Sequence, residues 1–301
     1  MDTDTERTRT TETTAANGTG STTAERLDGA IDAHVHLMPP KLLRAIRRVL
    51  ASEAGWSFSH PVERAGIERT LHEAGVTRYL ALPYTHRPGM ARELNEWVIE
   101  AARGSAMRTP FATVHADDEV RAVVREAFEA GARGLKFQCP VQKSGPDDSR
   151  LDPAFELAAE YDRPITFHAG TAPTFEASPH VGADAFESFL ESHPDVRACA
   201  AHLGTYEVEA FFRFAHEYDN AFLDTTMALS ARSPEYLGFD PATITDGELD
   251  DRSTSIMYGS DVPNLPYAYA DERAGILARD LPTATLTDLF GRTAERFLGE
   301  R

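Results

Sequence analysis

The sequence contains few lysines, few cysteines and no long apolar run. Only three of its 301 residues are lysine, so arginine carries nearly all of the positive charge. The two cysteines, Cys139 and Cys199, lie in apolar, strand-like stretches, which indicates buried thiols rather than a disulfide framework. No stretch is apolar and long enough for a membrane span, and the first 26 residues contain no apolar core of a signal peptide. These absences predict a soluble protein of the cytoplasm.

Acidic residues outnumber basic ones by 48 to 30, which gives a formal net charge of -18. Nucleic acids and anionic membranes are bound through basic surfaces, so neither is expected as a partner. The expected partner is therefore a small-molecule substrate. For subunit association, a homodimer is the default expectation. Many carboxylates with few lysines are typical of proteins from salt-adapted, halophile-like cytoplasm.

The chain divides into a short tail and one large domain. Residues 1–26 are rich in threonine and offer almost nothing to bury, which predicts a disordered tail. From residue 27 to residue 301, short apolar runs alternate with amphipathic stretches. The strand-like runs are residues 31–36, 78–83, 111–115, 134–138, 165–168, 196–202, 221–225 and 256–259.

Eight strands that alternate with helices indicate parallel strands joined by helical crossovers. The helical stretch before Gly131 places Val120, Val124 and Ala127 on one face, and Gly131 fits the left-handed residue that ends a helix. A doubly wound open sheet is the alternative, but no Gly-x-Gly-x-x-Gly follows the first strand. The predicted fold class is therefore an α/β protein with a (β/α)8 TIM barrel in a single domain.

Five of the eight predicted strands end in residues that bind metals or transfer protons. In a TIM barrel the carboxyl ends of all strands share one face, where catalytic side chains gather. The residues concerned are His34, His36, His115, His168, His202 and Asp261.

The motif "IDAHVHL" at the first strand carries two of these histidines. Residues two apart in a strand point to the same side, so His34 and His36 both face inward, with Asp32 one layer deeper. Two inward imidazoles are poor filling for an apolar barrel but suitable ligands for a divalent metal. Zinc is the expected ion, and manganese, iron and cobalt suit the same ligands.

Five segments resemble the amidohydrolase superfamily, in particular the amidohydrolase-related (amidohydrolase family 2) metal-dependent TIM-barrel enzymes. They are "IDAHVHL", "GLKFQ", "ITFHAG", "HPDVRACAAHLG" and "MYGSDVP", in the order of the family. The resemblance implies that one metal is held by four residues, which are His34, His36, His168 and Asp261. It also implies that Asp261 takes the proton of the attacking water and that His202 is a catalytic imidazole or supports the ligands.

Lys136, in "GLKFQ", has two interpretations. In binuclear relatives a carboxylated lysine on the fourth strand bridges two metals, so the resemblance allows a second metal at Lys136. In mononuclear relatives the same strand contributes only a substrate contact.

Three functions are compatible with the sequence. The first is metal-dependent hydrolysis of a C–N or C–O bond in a small molecule by a metal-activated water. The second is non-oxidative decarboxylation of a small unsaturated or aromatic acid, which predicts a cation for the substrate carboxylate, with Arg87 and Arg232 as candidates. The third is a metal-binding barrel without catalysis. The presence of both Asp261 and His202 argues against the third, because a scaffold needs no proton carrier beside the metal.

Overall fold

The computed structural model describes residues 29–173 and 178–300. The predicted tail, residues 1–26, lies outside the described residues. Within them the chain forms eight strands, all paired in parallel. The strands are β1 Ala30–Val35, β2 Val76–Ala81, β3 Arg108–Pro110, β4 Leu135–Phe137, β5 Ile165–Phe167, β6 Ala198–Ala200, β7 Ala221–Asp224 and β8 Ile256–Met257.

Helices connect successive strands, as a parallel sheet requires. They are α1 Pro40–Ala54, α2 Arg64–Glu73, α3 Ala91–Ala102, α4 Val120–Ala130, α5 Cys139–Gln142, α6 Asp152–Glu160, α7 Ala183–Ser192, α8 Val208–Glu217, α9 Ser233–Tyr236, α10 Asp246–Asp251, α11 Tyr269–Leu277, α12 Thr283–Thr287 and α13 Thr293–Phe297. Short 3-10 turns span Ser149–Leu151, Ala201–Gly204 and Pro241–Thr243, and a π turn, Asp288–Arg292, joins α12 to α13.

The sheet closes on itself at two places. Strands β1 to β3 form one ladder and β4 to β8 another, and a single parallel bridge between Ala112 and Leu135 joins them. On the other side, β1 meets the segment that follows β8. There the Asp261 N–H donates to the carbonyl of His34 at 2.9 Å, and the His36 N–H donates to the carbonyl of Val262 at 2.8 Å. These contacts complete the predicted (β/α)8 barrel.

Apolar side chains fill the barrel and also the layer between the strands and the helices. Inside the barrel, Leu80 of β2, Phe222 of β7 and Met257 of β8 belong to one buried cluster, which also includes Phe297 of α13. Strands this far apart in the sheet order can share a cluster only across the barrel interior. Outside the strands, the predicted face of α4 is buried, and α4 ends at Gly131 with φ +116°.

Every predicted strand differs from the observed one by at least one residue at an end, and two of the differences have an identifiable cause. The third strand was predicted at residues 111–115, but the paired segment is β3, Arg108–Pro110. The sixth was predicted to reach residue 202, but β6 ends at Ala200, because His202 and Leu203 adopt φ of +58° and +53°. An apolar run in the sequence indicates buried residues, and in both strands the buried residues extend beyond those that pair with a neighbouring strand. Among the helices of the described residues, none has the length and apolar character for crossing a bilayer.

Candidate metal centre

Three side chains from the two ends of the barrel domain converge at the carboxyl ends of the strands. His34 is part of β1, His36 follows it, and Asp261 follows β8. The Nε2 atom of His36 lies 3.0 Å from Oδ1 of Asp261, and Nε2 of His34 lies 3.7 Å from the same oxygen. One ligand atom from each residue lies within 4.8 Å of the others, and all three residues are buried. This spacing suits a single divalent cation bound by two imidazoles and a carboxylate.

The two histidine rings are held with Nε2 toward this point. Nδ1 of His34 lies 2.9 Å from Oδ2 of Asp224, and Nδ1 of His36 lies 2.9 Å from the carbonyl oxygen of Leu82. A carbonyl oxygen can only accept, and so can an ionised carboxylate, which places the proton of each neutral ring on Nδ1. Each Nε2 then presents a lone pair, which is the arrangement found in metal-ligating histidines. Nε2 of His34 is buried and has no hydrogen-bond partner within the described part of the chain, so the donors fit a metal ion.

Two further imidazoles adjoin the three ligands. His202 follows β6, and its ring centroid lies 5.4 Å from that of His34. The ring of His168, at the end of β5, packs against His202 with centroids 4.8 Å apart. The Nδ1 atom of His202 donates to the carbonyl of Thr226 at 3.0 Å, so in the neutral ring Nε2 carries the lone pair. The compact ligand group thus consists of His34, His36 and Asp261, and His168 stays a predicted fourth ligand.

The left-handed turn at residues 202–204 determines the position of His202. Both His202 and Gly204 have positive φ, and a Cβ atom at Gly204 would lie 2.0 Å from the ring of Phe211. Only glycine fits this close approach to α8. The turn directs the His202 ring back over the barrel.

Burial favours the neutral form of three of the histidines. Desolvation lowers the pKa of His34 to about 4, against an opposing effect of Asp224, and it also lowers the pKa values of His168 and His202. Burial alone raises the pKa of Asp261, but the 3.0 Å contact with His36 and the nearby His34 and His202 outweigh burial, so this pKa lies below its usual value. At neutral pH Asp261 is therefore ionised while His34, His168 and His202 are neutral, which is the protonation state that metal binding requires.

Asp224, at the end of β7, is a functional residue that the sequence analysis missed. Its Oδ2 accepts from Nδ1 of His34, and its Oδ1 accepts from the backbone N–H groups of His202 at 3.0 Å and Thr226 at 3.2 Å. Burial opposes its ionisation, but the contacts with His34 outweigh burial and hold the pKa of Asp224 below its usual range. One fully buried carboxylate thus orients a metal ligand and fixes the turn that carries His202. Its place at a strand end was the available signal.

Asp32 lies one layer below the ligands, as predicted. It accepts from the backbone N–H groups of His34 and Ser260, each at 3.1 Å, and from the hydroxyl of Tyr269 at 2.9 Å. Burial raises the pKa of Asp32 to about 7 despite these three donors. Asp32 therefore supports the backbone on both sides of the closure between β1 and the segment after β8.

Lys136, on β4, lies under the site. The side chain is fully buried, and Nζ has no hydrogen-bond partner among the described residues. Burial lowers the pKa of Lys136, although the charges of Asp224 and Asp261 oppose this effect. A lysine in this environment is a poor structural choice, and its interpretation as a metal bridge or a substrate contact stays a prediction.

A cavity of about 540 Å3 opens above the metal centre. His36, His168, His202 and Asp261 line its base. The side walls are mainly apolar and include Leu42, Ile46, Val49, Leu50, Trp56 and Tyr84. The cavity gives a small molecule direct access to the predicted ligands.

Several other sequence candidates lie elsewhere. Nδ1 of His115 accepts from the backbone N–H of Asp117 at 3.2 Å, which is a structural contact. Neither Arg87 nor Arg232 lines the cavity, and Arg232 is paired with Glu235 at 2.7 Å. His86, the neighbour of Arg87 in the chain, does line the cavity.

The lowered histidine pKa values predict that these imidazoles contribute stability to the metal-free protein at neutral pH and that this contribution is lost in mild acid. The unfolded chain takes up a proton at His34 below about pH 6.5 and the folded chain only near pH 4, so stability falls across this window, by roughly 3 kcal/mol from His34 alone. His168 and His202 act in the same direction, whereas the raised pKa values of Asp32 and Glu272 act in the opposite one, so a comparison with a His34 variant is needed to isolate the contribution of His34. Urea unfolding with a chelator present, at about pH 7.5 and about pH 4.5, measures the loss.

The variant His34→Gln is expected to reduce this pH dependence. The exposed His72 of α2 provides the matched control, because His72→Gln removes an imidazole that the solvent already surrounds. An equal pH dependence in His34→Gln and the unmodified protein would contradict the prediction.

Known proteins include a matching family and several similar structures. The chain matches the amidohydrolase family (Amidohydro_2) over residues 31–299. Comparison with curated proteins finds no match. Among solved structures, an uncharacterised TIM-barrel protein from Bordetella bronchiseptica is similar, with TM-score 0.71 and 16% identity, over 90% of this chain and 99% of that one.

Two of the similar structures are of proteins with a named activity. A putative 2-pyrone-4,6-dicarboxylic acid hydrolase from Pseudomonas putida has TM-score 0.64 and 14% identity, over 91% of this chain and 98% of that one. The 5-carboxyvanillate decarboxylase from Novosphingobium aromaticivorans, complexed with manganese, has TM-score 0.60 and 14% identity, over 92% of this chain and 97% of that one. At these identities the similarity to solved structures shows the TIM-barrel fold alone. The family to which the chain belongs is shown by the match over residues 31–299. The chain is a member of the amidohydrolase family.

Proposed function

We propose that this enzyme hydrolyses a C–N or C–O bond of a small molecule, with zinc as the metal. The observation that carries the proposal is the convergence of Nε2 of His34, Nε2 of His36 and Oδ1 of Asp261 at the base of the cavity. A divalent ion held there supplies Lewis acidity and lowers the pKa of a water molecule to about 7. His168 completes the proposed ligand set.

Asp261 is the proposed proton carrier. Its carboxylate is ionised at neutral pH and lines the cavity, so it accepts a proton from the attacking water and returns it to the leaving group. His202 also lines the cavity, with Nδ1 already donating to Thr226. In its neutral form Nε2 of His202 accepts a hydrogen bond or a proton, and it stabilises a developing oxyanion only after gaining a second proton.

The cavity favours hydrolysis over decarboxylation. A carboxylic acid substrate calls for a cation beside the metal, and among the described residues that line the cavity there is neither lysine nor arginine. Arg232 is occupied by Glu235 and stacks over the ring of Tyr236 at 5.3 Å. The manganese-bound decarboxylase among the similar structures keeps decarboxylation as the second candidate. A barrel that binds metal without catalysis gives no role to the ionised Asp261 in the cavity.

Lys136 does not line the cavity, which favours a metal bridge over a substrate contact as its role. A location in the cytoplasm, adaptation to high salt and a homodimer are further predictions that follow from the sequence alone.

Metal removal tests the proposed function. We expect the purified protein to contain a divalent metal in stoichiometric amount, and chelation to lower hydrolysis of neutral esters, lactones and amides by at least about 100-fold. Zinc, manganese or cobalt should restore the activity, and metal analysis together with pH-stat titration measures both effects. Release of CO2 from aromatic carboxylates without any hydrolysis would establish the second candidate instead. A protein that binds no metal and gains no activity from it contradicts both.

A further inference from the structure

Helix α1 builds the outer wall of the cavity, and its apolar face is only partly packed against the core. Leu43 is its one fully buried residue, whereas Leu42, Ile46, Val49 and Leu50 all line the cavity. Val49 is 52% exposed, and in the described part of the chain only one other large apolar residue, Tyr206, is similarly exposed. Trp56, two residues after the helix, extends this apolar wall. A surface of this kind, continuous with a metal centre, indicates a binding region for an apolar group.

The charges around the cavity are either already paired or exposed to solvent. Arg47 of α1 is paired, because it donates to the carbonyl oxygens of His60 and Pro263 and lies over the ring of Phe58, and it does not line the cavity. Glu235 is neutralised by Arg232. Glu53 is the remaining carboxylate of the upper wall and is exposed to solvent. No cation is therefore placed to receive an anionic group along α1, and the net charge of -18 repels anions at long range.

We propose that the substrate carries no negative charge and has an apolar chain or ring of several carbons, which lies along α1 and Trp56 while the scissile bond meets the metal centre. This inference rests on the proposed function and specifies the substrate class of the same site. Burial of each methylene against this wall contributes to affinity, and an anionic group at the same place loses its hydration without gaining a partner.

Alcohols that cannot be hydrolysed test the inference by binding alone. Isothermal titration calorimetry on the metal-loaded protein compares 1-butanol, 1-octanol and ω-hydroxyoctanesulfonate, whose sulfonate is a weak metal ligand. We expect 1-octanol to bind at least about tenfold more tightly than 1-butanol, because a buried methylene is worth up to about fourfold in affinity. The sulfonate should bind about tenfold more weakly than 1-octanol.

Two arginine variants on the same helix sharpen the test. Val49→Arg places a cation in the wall and should shift the preference toward the sulfonate by about tenfold. Ala51→Arg adds the same charge at an exposed position of α1 outside the wall, and it should leave the preference unchanged. Equal effects of the two variants would mean that the binding region lies elsewhere.

The outcomes separate this inference from the proposed function. If 1-octanol binds with the expected preference but no ester, lactone or amide is cleaved, the inference stands and hydrolysis is wrong. If hydrolysis occurs but affinity does not rise with chain length, or the sulfonate binds as well as 1-octanol, the inference is overturned.

Discussion

Asp261→Asn is expected to lower kcat by at least about 1000-fold, because one substitution removes an anionic ligand and the proton carrier together. Asp261 has φ +70°, a conformation that asparagine adopts more readily than most residues, so the substitution preserves the backbone. Asparagine also keeps the size of the side chain. The expected loss therefore reports on charge and proton transfer.

The measurement combines steady-state kinetics with metal content and thermal unfolding. Asp251→Asn, at an exposed position of α10, is the matched control and should change none of the three. A folded Asp261→Asn protein that retains metal and more than about a tenth of the activity would show that Asp261 does not carry the proton.

Asp224→Asn is expected to weaken metal binding by about 10-fold to 100-fold and to destabilise the fold by about 3 kcal/mol. The carboxylate accepts from Nδ1 of His34 through one oxygen and from the backbone N–H groups of His202 and Thr226 through the other. An amide presents an N–H2 group to one of these sets of donors, whichever way it is oriented. His34 then loses its fixed tautomer, or the turn at His202 loses its acceptor.

Urea unfolding and metal titration measure the two effects of Asp224→Asn. Saturating metal should recover a large part of the activity, whereas it should not rescue Asp261→Asn, and this contrast separates a residue that orients ligands from one that touches the substrate. Unchanged metal affinity in Asp224→Asn would contradict the role assigned to its contact with His34.

Residues with a strong local pattern were predictable from the sequence. The alternation of apolar runs and amphipathic stretches predicted eight parallel strands, and the family match and the structure confirm the barrel. The spacing of His34 and His36 placed both rings on one side, and strand order brought Asp261 next to them. These inferences needed only the period of a strand and the rule that all strand ends share one face.

Other features depended on contacts that no local pattern shows. Asp224 lies 190 positions from the histidine that it orients, and nothing in the neighbouring "FLDTT" distinguishes it from a strand end with a solvated carboxylate. In the sequence, the apolar face of α1 looks like one that packs against a hydrophobic core, yet most of it lines the cavity. In the sequence, a buried apolar run looks the same whether or not its residues pair with a neighbouring strand. The third and sixth strands were therefore predicted with wrong bounds.

The seam of the barrel runs through the metal centre, because β1 carries His34 and the segment after β8 carries Asp261. Folding intermediates in which the first and last strands have not yet met lack a complete set of donors. A metal ion therefore favours the fully assembled barrel over every partly assembled form, by mass action. Occupancy of the centre thus reports that the amino-terminal and carboxyl-terminal parts of the domain have joined correctly.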